Sequence, residues 1–147
     1  MSVSSKLVNN ESLEETYVYV ADYAHIAANA TSSNQVTIGK IPAGGGVKQV
    51  VVHEATALAG ASDITLDVGT TAGDPDELID ALDVDAMTAP VYNTGDLFEA
   101  SNAGGIDLVG LTNTDTDIVA EWNGTVASLT AGKVVVSVTV VNLGKFA

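Results

Sequence analysis

KVVVSVTVVNL, residues 133–143, is the stretch from which the fold of this chain is read. It is nearly continuous in β-branched side chains, which are stiff and pack well on a pleated surface. Apolar residues at both odd and even positions predict a long strand with cover on both of its faces. The apolar core of this run, VVVSVTVV (134–141), is the longest in the sequence. It falls far short of the roughly 20 residues needed to cross a bilayer.

The sequence upstream has the same texture. TYVYVADY (16–23) alternates, with Tyr17 and Tyr19 on one face and Val18 and Val20 on the other. QVTIGKI (35–41) is a short strand closed by Pro42 and the glycine-rich Ala43-Gly44-Gly45-Gly46. VKQVVVHEATAL (47–58) is a longer, valine-rich strand. DITLDVGT (63–70) sets Ile64, Leu66 and Val68 against Asp63, Thr65 and Asp67, one buried and one wet face. GIDLVGL (105–111) and TDIVAEW (116–122) alternate too. A single short helix is expected at 74–82, DPDELIDAL, where Asp74 can cap, Pro75 takes the first helical position and Asp76 and Glu77 load the first turn. Turn signals recur throughout, among them AGGG, GASD, NTGD, NTDTD, NGT and AGK. The fold class predicted is all-β: a single-domain antiparallel β-sandwich over 16–147, with residues 1–15 as an extended N-terminal arm. The apolar residues of 47–52 and 134–141 are its expected core.

Composition narrows the function. In 147 residues there are 5 Lys plus Arg against 19 Asp plus Glu, for a net charge of −14. Phosphate-binding faces need clustered cations, so nucleic acid is excluded as the main partner, and an anionic membrane surface with it. Cysteine is absent, which removes disulfides, thiolate metal sites and cysteine nucleophiles. The opening MSVSSKLVNNESLEE has no apolar h-region and does not read as a secretory signal, so a reducing cytoplasm is the expected place of synthesis and assembly.

Each candidate for chemistry has a plainer reading. His25 and His53 are far apart and without an i, i+4 partner, so no metal site is expected of them. Between Lys48 and Lys133 lie 15 of the 19 acids and no basic residue. Asp74, Asp76, Glu77, Asp80, Asp83 and Asp85 crowd residues 73–85, but Leu78 and Ile79 fall where a calcium loop of the EF-hand kind needs an oxygen and a glycine. Asn113, Asp115 and Asp117 start a second such pattern that fails at Ile118 and Gly124. Solvated acids are the better account of both. There is no G-x-S-x-G elbow, and the glycines at 43–46 lack the Lys-Ser/Thr of a phosphate loop. Trp122 reads as a core anchor. No catalytic, cofactor-binding or metal-binding residue is assigned, and no enzyme is expected.

IPAGGGVKQVVVHEATALAGASDITLDVGTTAGDPDELIDALDVD (41–85) resembles a group of small tailed-bacteriophage virion proteins, the head decoration or cement type. The order shared is a strand ending in Ile-Pro-Ala-Gly, a valine-rich strand, a small-residue turn, a strand ending in Asp-Val-Gly-Thr, then Gly-Asp-Pro-Asp. LTAGKVVVSVTVV (129–141) is similar to the final strand of such proteins. The resemblance implies a sandwich, jelly-roll-like, that trimerises on the outer face of a capsid, binds the major capsid protein and stiffens the head. On that reading the arm, Ser2–Glu15, and the five lysines, Lys6, Lys40, Lys48, Lys133 and Lys145, supply contacts to capsid subunits. The alternatives are a tail, baseplate or receptor-binding module and a calcium-dependent carbohydrate-binding or adhesion module. A hydrolase is the enzyme rival.

Overall fold

The valine run forms the strand it predicts. In the computed structural model, which describes residues 13–28, 35–70, 75–92, 94 and 114–142, it belongs to the 12-residue strand β8, Ala131–Asn142. Along the chain before it come β1 (Glu14–Asp22), α1 (Tyr23–Ala28), β2 (Gln35–Ile41), β3 (Gly45–Ala59), β4 (Thr65–Gly69), β5 (Ile79–Asp83), β6 (Val91–Tyr92), β7 (Thr116–Asn123) and a 3-10 turn at Val126–Ser128. The strands make two four-stranded sheets, in the orders β1-β8-β3-β6 and β2-β7-β4-β5. Every neighbouring pair is antiparallel. Successive strands pass from one sheet to the other, save for β4 and β5, which are neighbours in one sheet. Eight strands wound in this way are a jelly roll, so the all-β sandwich expected from the sequence is the fold.

We call the two layers the valine sheet (β1-β8-β3-β6) and the acidic sheet (β2-β7-β4-β5). The core lies between them. Val47, Val50, Val52, Val134, Val136, Val138 and Val140 point in from the valine sheet. Ile41, Leu66, Val68, Ile118, Ala120 and Trp122 meet them from the other side. All of these are fully buried. The expected core at 47–52 and 134–141 is therefore only part of those runs, alternate residues from 134 to 140 and, across a bulge after Val47, Val50 and Val52. Val51, Val135, Ser137 and Thr139 lie on the outer face and are only half-buried. β8 lies inside its sheet, between β1 and β3, but one of its two faces lacks the full cover that its sequence predicts.

Local turn chemistry sets the crossings. The β2–β3 connection is closed by the Gly45 N–H donating to the Pro42 carbonyl at 2.8 Å, with Gly44 at φ 78° where an L side chain would be strained. The glycine-rich 43–46 is thus a turn between sheets.

The helix expected at 74–82 is absent from the described part of that segment: 75–78 has no regular structure and β5 takes up 79–83. Two turns are too few to hold a helix without packing, since nucleation is costly. Here packing favours an extended chain. Leu78 and Ile79 are adjacent and both fully buried, which a strand edge and its approach accommodate. The Leu78 N–H donates to the Val68 carbonyl at 2.9 Å. Glu77, expected in a first helical turn, folds back to accept the Thr70 N–H at 2.8 Å. Gly69 permits this, because a Cβ there would sit 2.6 Å from the Pro75 carbonyl carbon. The helix that does form, α1, follows β1 directly. Asp22 caps it, accepting the His25 N–H at 2.8 Å. GIDLVGL (105–111), Asp74 and most of the expected arm lie outside the described residues, while Glu14 and Glu15, counted with the arm, belong to β1.

These placements give the first test. Leu66→Ala, in the middle of the core, is expected to cost about 2–5 kcal/mol. Val18→Ala, on the outer face of β1 and 63% exposed, should change stability by less than about 0.5 kcal/mol. Urea unfolding of the two variants measures both, and equal losses would contradict the assignment of faces.

Candidate interaction surfaces

The outer face of the acidic sheet gathers carboxylates. Asp67 of β4 stands directly opposite Glu121 of β7, and Thr65 opposite Asp83. Like charges facing each other across a ladder are unfavourable, and neutral amides relieve this pair. Asn123 Nδ2 donates to Asp67 Oδ2 at 2.8 Å, and Gln35 Nε2 donates to Glu121 Oε2 at 2.6 Å. The Ala81 N–H also donates to Asp67 Oδ1, at 2.5 Å. Partial burial raises the Asp67 carboxyl above its usual range, the hydrogen bond from Ala81 opposes this, and repulsion from Glu121, Asp80 and Asp76 adds to it. Asp63 is the opposite case. Hydrogen bonds from the Thr125 hydroxyl (2.5 Å) and backbone N–H (3.1 Å) hold its exposed carboxyl below the usual range.

Several of the acids considered for calcium bind backbone amides. Asp85 accepts the Ile64 N–H at 2.8 Å, Asp83 the Ala86 N–H at 3.2 Å, and Asp115 the Ala43 N–H at 3.0 Å. Among the described residues no three His, Asp or Glu side chains converge as a metal would require. Asn113 and Asp74 lie outside the described residues.

His25, His53 and Trp122 have separate fates. Trp122 is fully buried, and its Nε1–H donates to the Tyr19 hydroxyl at 3.1 Å. That hydroxyl lies 2.6 Å from His25 Nε2. An indole can only donate, so the Tyr19 hydroxyl accepts from Trp122, and with His25 the three form a hydrogen-bonded chain across the two sheets. Burial raises the Tyr19 phenol above its usual value, with the bond from Trp122 pulling the other way. The trio holds β1, α1 and β7 together. His53 stands apart, exposed on the valine sheet. A shallow cleft of about 110 Å³ beside it is lined by His53, Glu54 and Met87 to Pro90, well below the roughly 300–1,000 Å³ of small-molecule sites.

The outer face of the valine sheet is the chemical opposite of the acidic one. Its strand registers align side chains in rows. Val18, Ser137, Val51 and Tyr92 form one row across all four strands. Val20, Val135 and His53 form the next, and Thr16, Thr139 and Gln49 another. The Thr16 and Thr139 hydroxyls are 3.2 Å apart. Val18, Val20 and Tyr92 are 63%, 54% and 55% exposed. Charge appears only at the margins, where Lys48 binds Glu14 at 2.7 Å and Lys133 faces Asp22 in the ladder. Lys40 sits on the acidic sheet, 4.0 Å from Asp115. Lys6 and Lys145 lie outside the described residues. The sequence named Val18 and Val20 as a shared face without showing that it faces outward. Their exposure follows from the tyrosines, which turn Tyr17 and Tyr19 inward.

No protein-family model and no curated sequence matches this chain. Solved structures do. A chain from the capsid asymmetric unit of cyanophage Pam1 superposes with a TM-score of 0.62 over 96% of this chain and 93% of that one, at 18% identity. A chain from the acid-stable capsid of Helicobacter pylori bacteriophage KHP30 does so with a TM-score of 0.52 over 88% and 87%, at 14% identity. What is shared at such identities is the fold.

The carboxylates carry a pH prediction. Asp67 is raised from an ordinary 3.8, so above that value the native state holds more protons than the unfolded chain, and stability falls as pH rises through the window. Asp63 works the other way, its contribution present above the ordinary value and lost as pH falls past it. Asp67→Asn removes only the first effect. Its melting temperature relative to wild type should climb between acid and neutral pH, and a difference constant with pH would contradict the account.

Proposed function

We propose that this chain is a structural protein of a bacteriophage virion, a head decoration or cement protein that binds the outer capsid surface and stabilises the head. The observation that carries the reading is the jelly roll itself, matched over nearly its whole length by a chain of the Pam1 capsid. The surface chemistry supports it. Two four-stranded sheets turn their outer faces to solvent and the cleft beside His53 is small, so the reading is of an interaction protein and not an enzyme. Small β-branched and hydroxyl side chains lose little rotamer freedom when buried in a flat contact.

In this reading the partner is the major capsid protein and the site is the capsid exterior, reached by assembly in the host cytoplasm. The chain acts as a homotrimer. Three weak contacts made at once multiply their affinities. An acidic outer surface keeps particles apart in solution. The N-terminal arm adds contacts beyond the sandwich, and because β1 already includes Glu14 and Glu15, its removable part ends before residue 14.

Two measurements test this. Cryo-electron microscopy of particles that contain the chain is expected to place it on the outside of the head, in threefold groups. Density on the tail or baseplate would transfer the chain to the other virion class. Deletion of residues 2–12 is expected to abolish head occupancy while leaving the melting transition of the purified domain intact. Full occupancy by the truncated protein would remove the arm from the mechanism.

A further inference from the structure

We infer that the outer face of the valine sheet, centred on Val18, Val20, Val51, Val135 and Tyr92, is the surface on which copies of this chain meet. The inference deepens the proposed function, since it takes over from that reading the assembly of several copies and names the face they use.

Three observations point to a contact here. The face holds three of the four large hydrophobic side chains exposed among the described residues: Val18, Val20 and Tyr92. The fourth, Tyr23, opens α1 immediately after β1. These side chains are not scattered, because the register places Val18 and Tyr92 in one row across the sheet, with Val20 and Val135 in the next. The face also runs to an edge. β1 is the outermost strand of its sheet, and its central residues, Thr16 to Val20, include neither the lysine nor the proline that blunts an edge against pairing. Finally, the outward residues of β8, Val135, Ser137 and Thr139, are only half-buried.

Charge selects the occupant. The chain carries a net −14, so a basic partner would be met best by its carboxylates, and the central rows of this face, Val18, Ser137, Val51 and Tyr92 in one and Val20, Val135 and His53 in the next, hold none. A face cleared of carboxylates suits a partner that carries the same excess of negative charge, and a second copy is that partner. The margins agree. Glu14 is neutralised by Lys48 at one end of β1 and Asp22 is faced by Lys133 at the other, so a copy laid across the face in either direction meets no net repulsion. Around a threefold axis the same valines would come together from three chains.

The test uses the full chain. Sedimentation equilibrium at micromolar concentration is expected to show an oligomer for wild type. For Val18→Glu combined with Val20→Glu, the mass should fall to that of one 14.9 kDa chain. Both positions are more than half exposed, so the circular dichroism spectrum of the variant should match wild type. A second measurement avoids any change of charge. Since the chain has no cysteine, a lone Val20→Cys can form a disulfide only between copies. Mild oxidation is expected to give a covalent dimer from it, and none from Asp117→Cys on the acidic sheet. A monomeric wild type, an oligomer that survives the double substitution, or equal cross-linking of the two thiols would overturn the inference. So would a face covered by the chain's own remaining residues, seen as a monomer with Val20→Cys protected from thiol reagents. The virion reading fails separately: wild type that is monomeric yet present on heads overturns only the copy contact, and an oligomer absent from heads overturns only the virion role.

Discussion

The rest of the structure depends on β8 being shared. It is hydrogen-bonded along its length to β1 on one side and β3 on the other, so the C-terminal part of the described chain closes the sheet that the N-terminal part begins. The Thr16–Thr139 contact spans 123 residues and the Tyr19–Trp122 bond 103. Contacts between residues so far apart in sequence are entropically costly to close and are made late. They hold because every second residue of β8 is a valine locked between two sheets. An interruption there would open both the valine sheet and the core beneath it.

Much of this architecture was legible because alternation is a physical necessity of strands. DITLDVGT and TDIVAEW each have one dry face and one wet face, and both are strands in the acidic sheet with Leu66, Val68 and Trp122 inside. The 74–82 segment misled for an equally physical reason. Its capping residues are local signals, worth about a kilocalorie each, whereas burying Leu78 and Ile79 against β4 removes two large side chains from water, each worth about 1.5–3 kcal/mol. The tertiary term is larger, and a strand results. α1 shows the reverse error: Asp22 followed by an alanine-rich run was a cap and helix signal, obscured by the strand that leads into it.

Pairings across the sandwich were not legible. Nothing in the sequence couples Trp122 to Tyr19 and His25, because the bond depends on which faces the two sheets turn towards each other. Nor could composition show that the acids would be segregated. Asp67, Asp83 and Glu121 come from three different strands, and only the β7-β4-β5 order brings them to one face. The β1-β8-β3-β6 order sets Val18, Val51, Val135 and Tyr92 together on the other sheet, so strand order produces two surfaces of different character from a sequence in which valines and acids are interspersed.

That separation has a consequence for how such a chain can act. A jelly roll need only bury its inner faces, and the outer faces are left to be specified independently. If solubility alone governed them, a chain with 19 acids would spread its charge over both sheets and lower its own repulsion. Instead Asp67 and Glu121 are opposed directly on one sheet, while the other sheet exposes Val18 and Val20. Crowding charge onto one face is unfavourable for an isolated domain and sensible for one that is to be oriented, since it makes one side adhesive and the other repellent to further acidic surfaces. If copies of the chain meet as proposed, the valine sheet is the side that joins them and the acidic sheet is the side left outward.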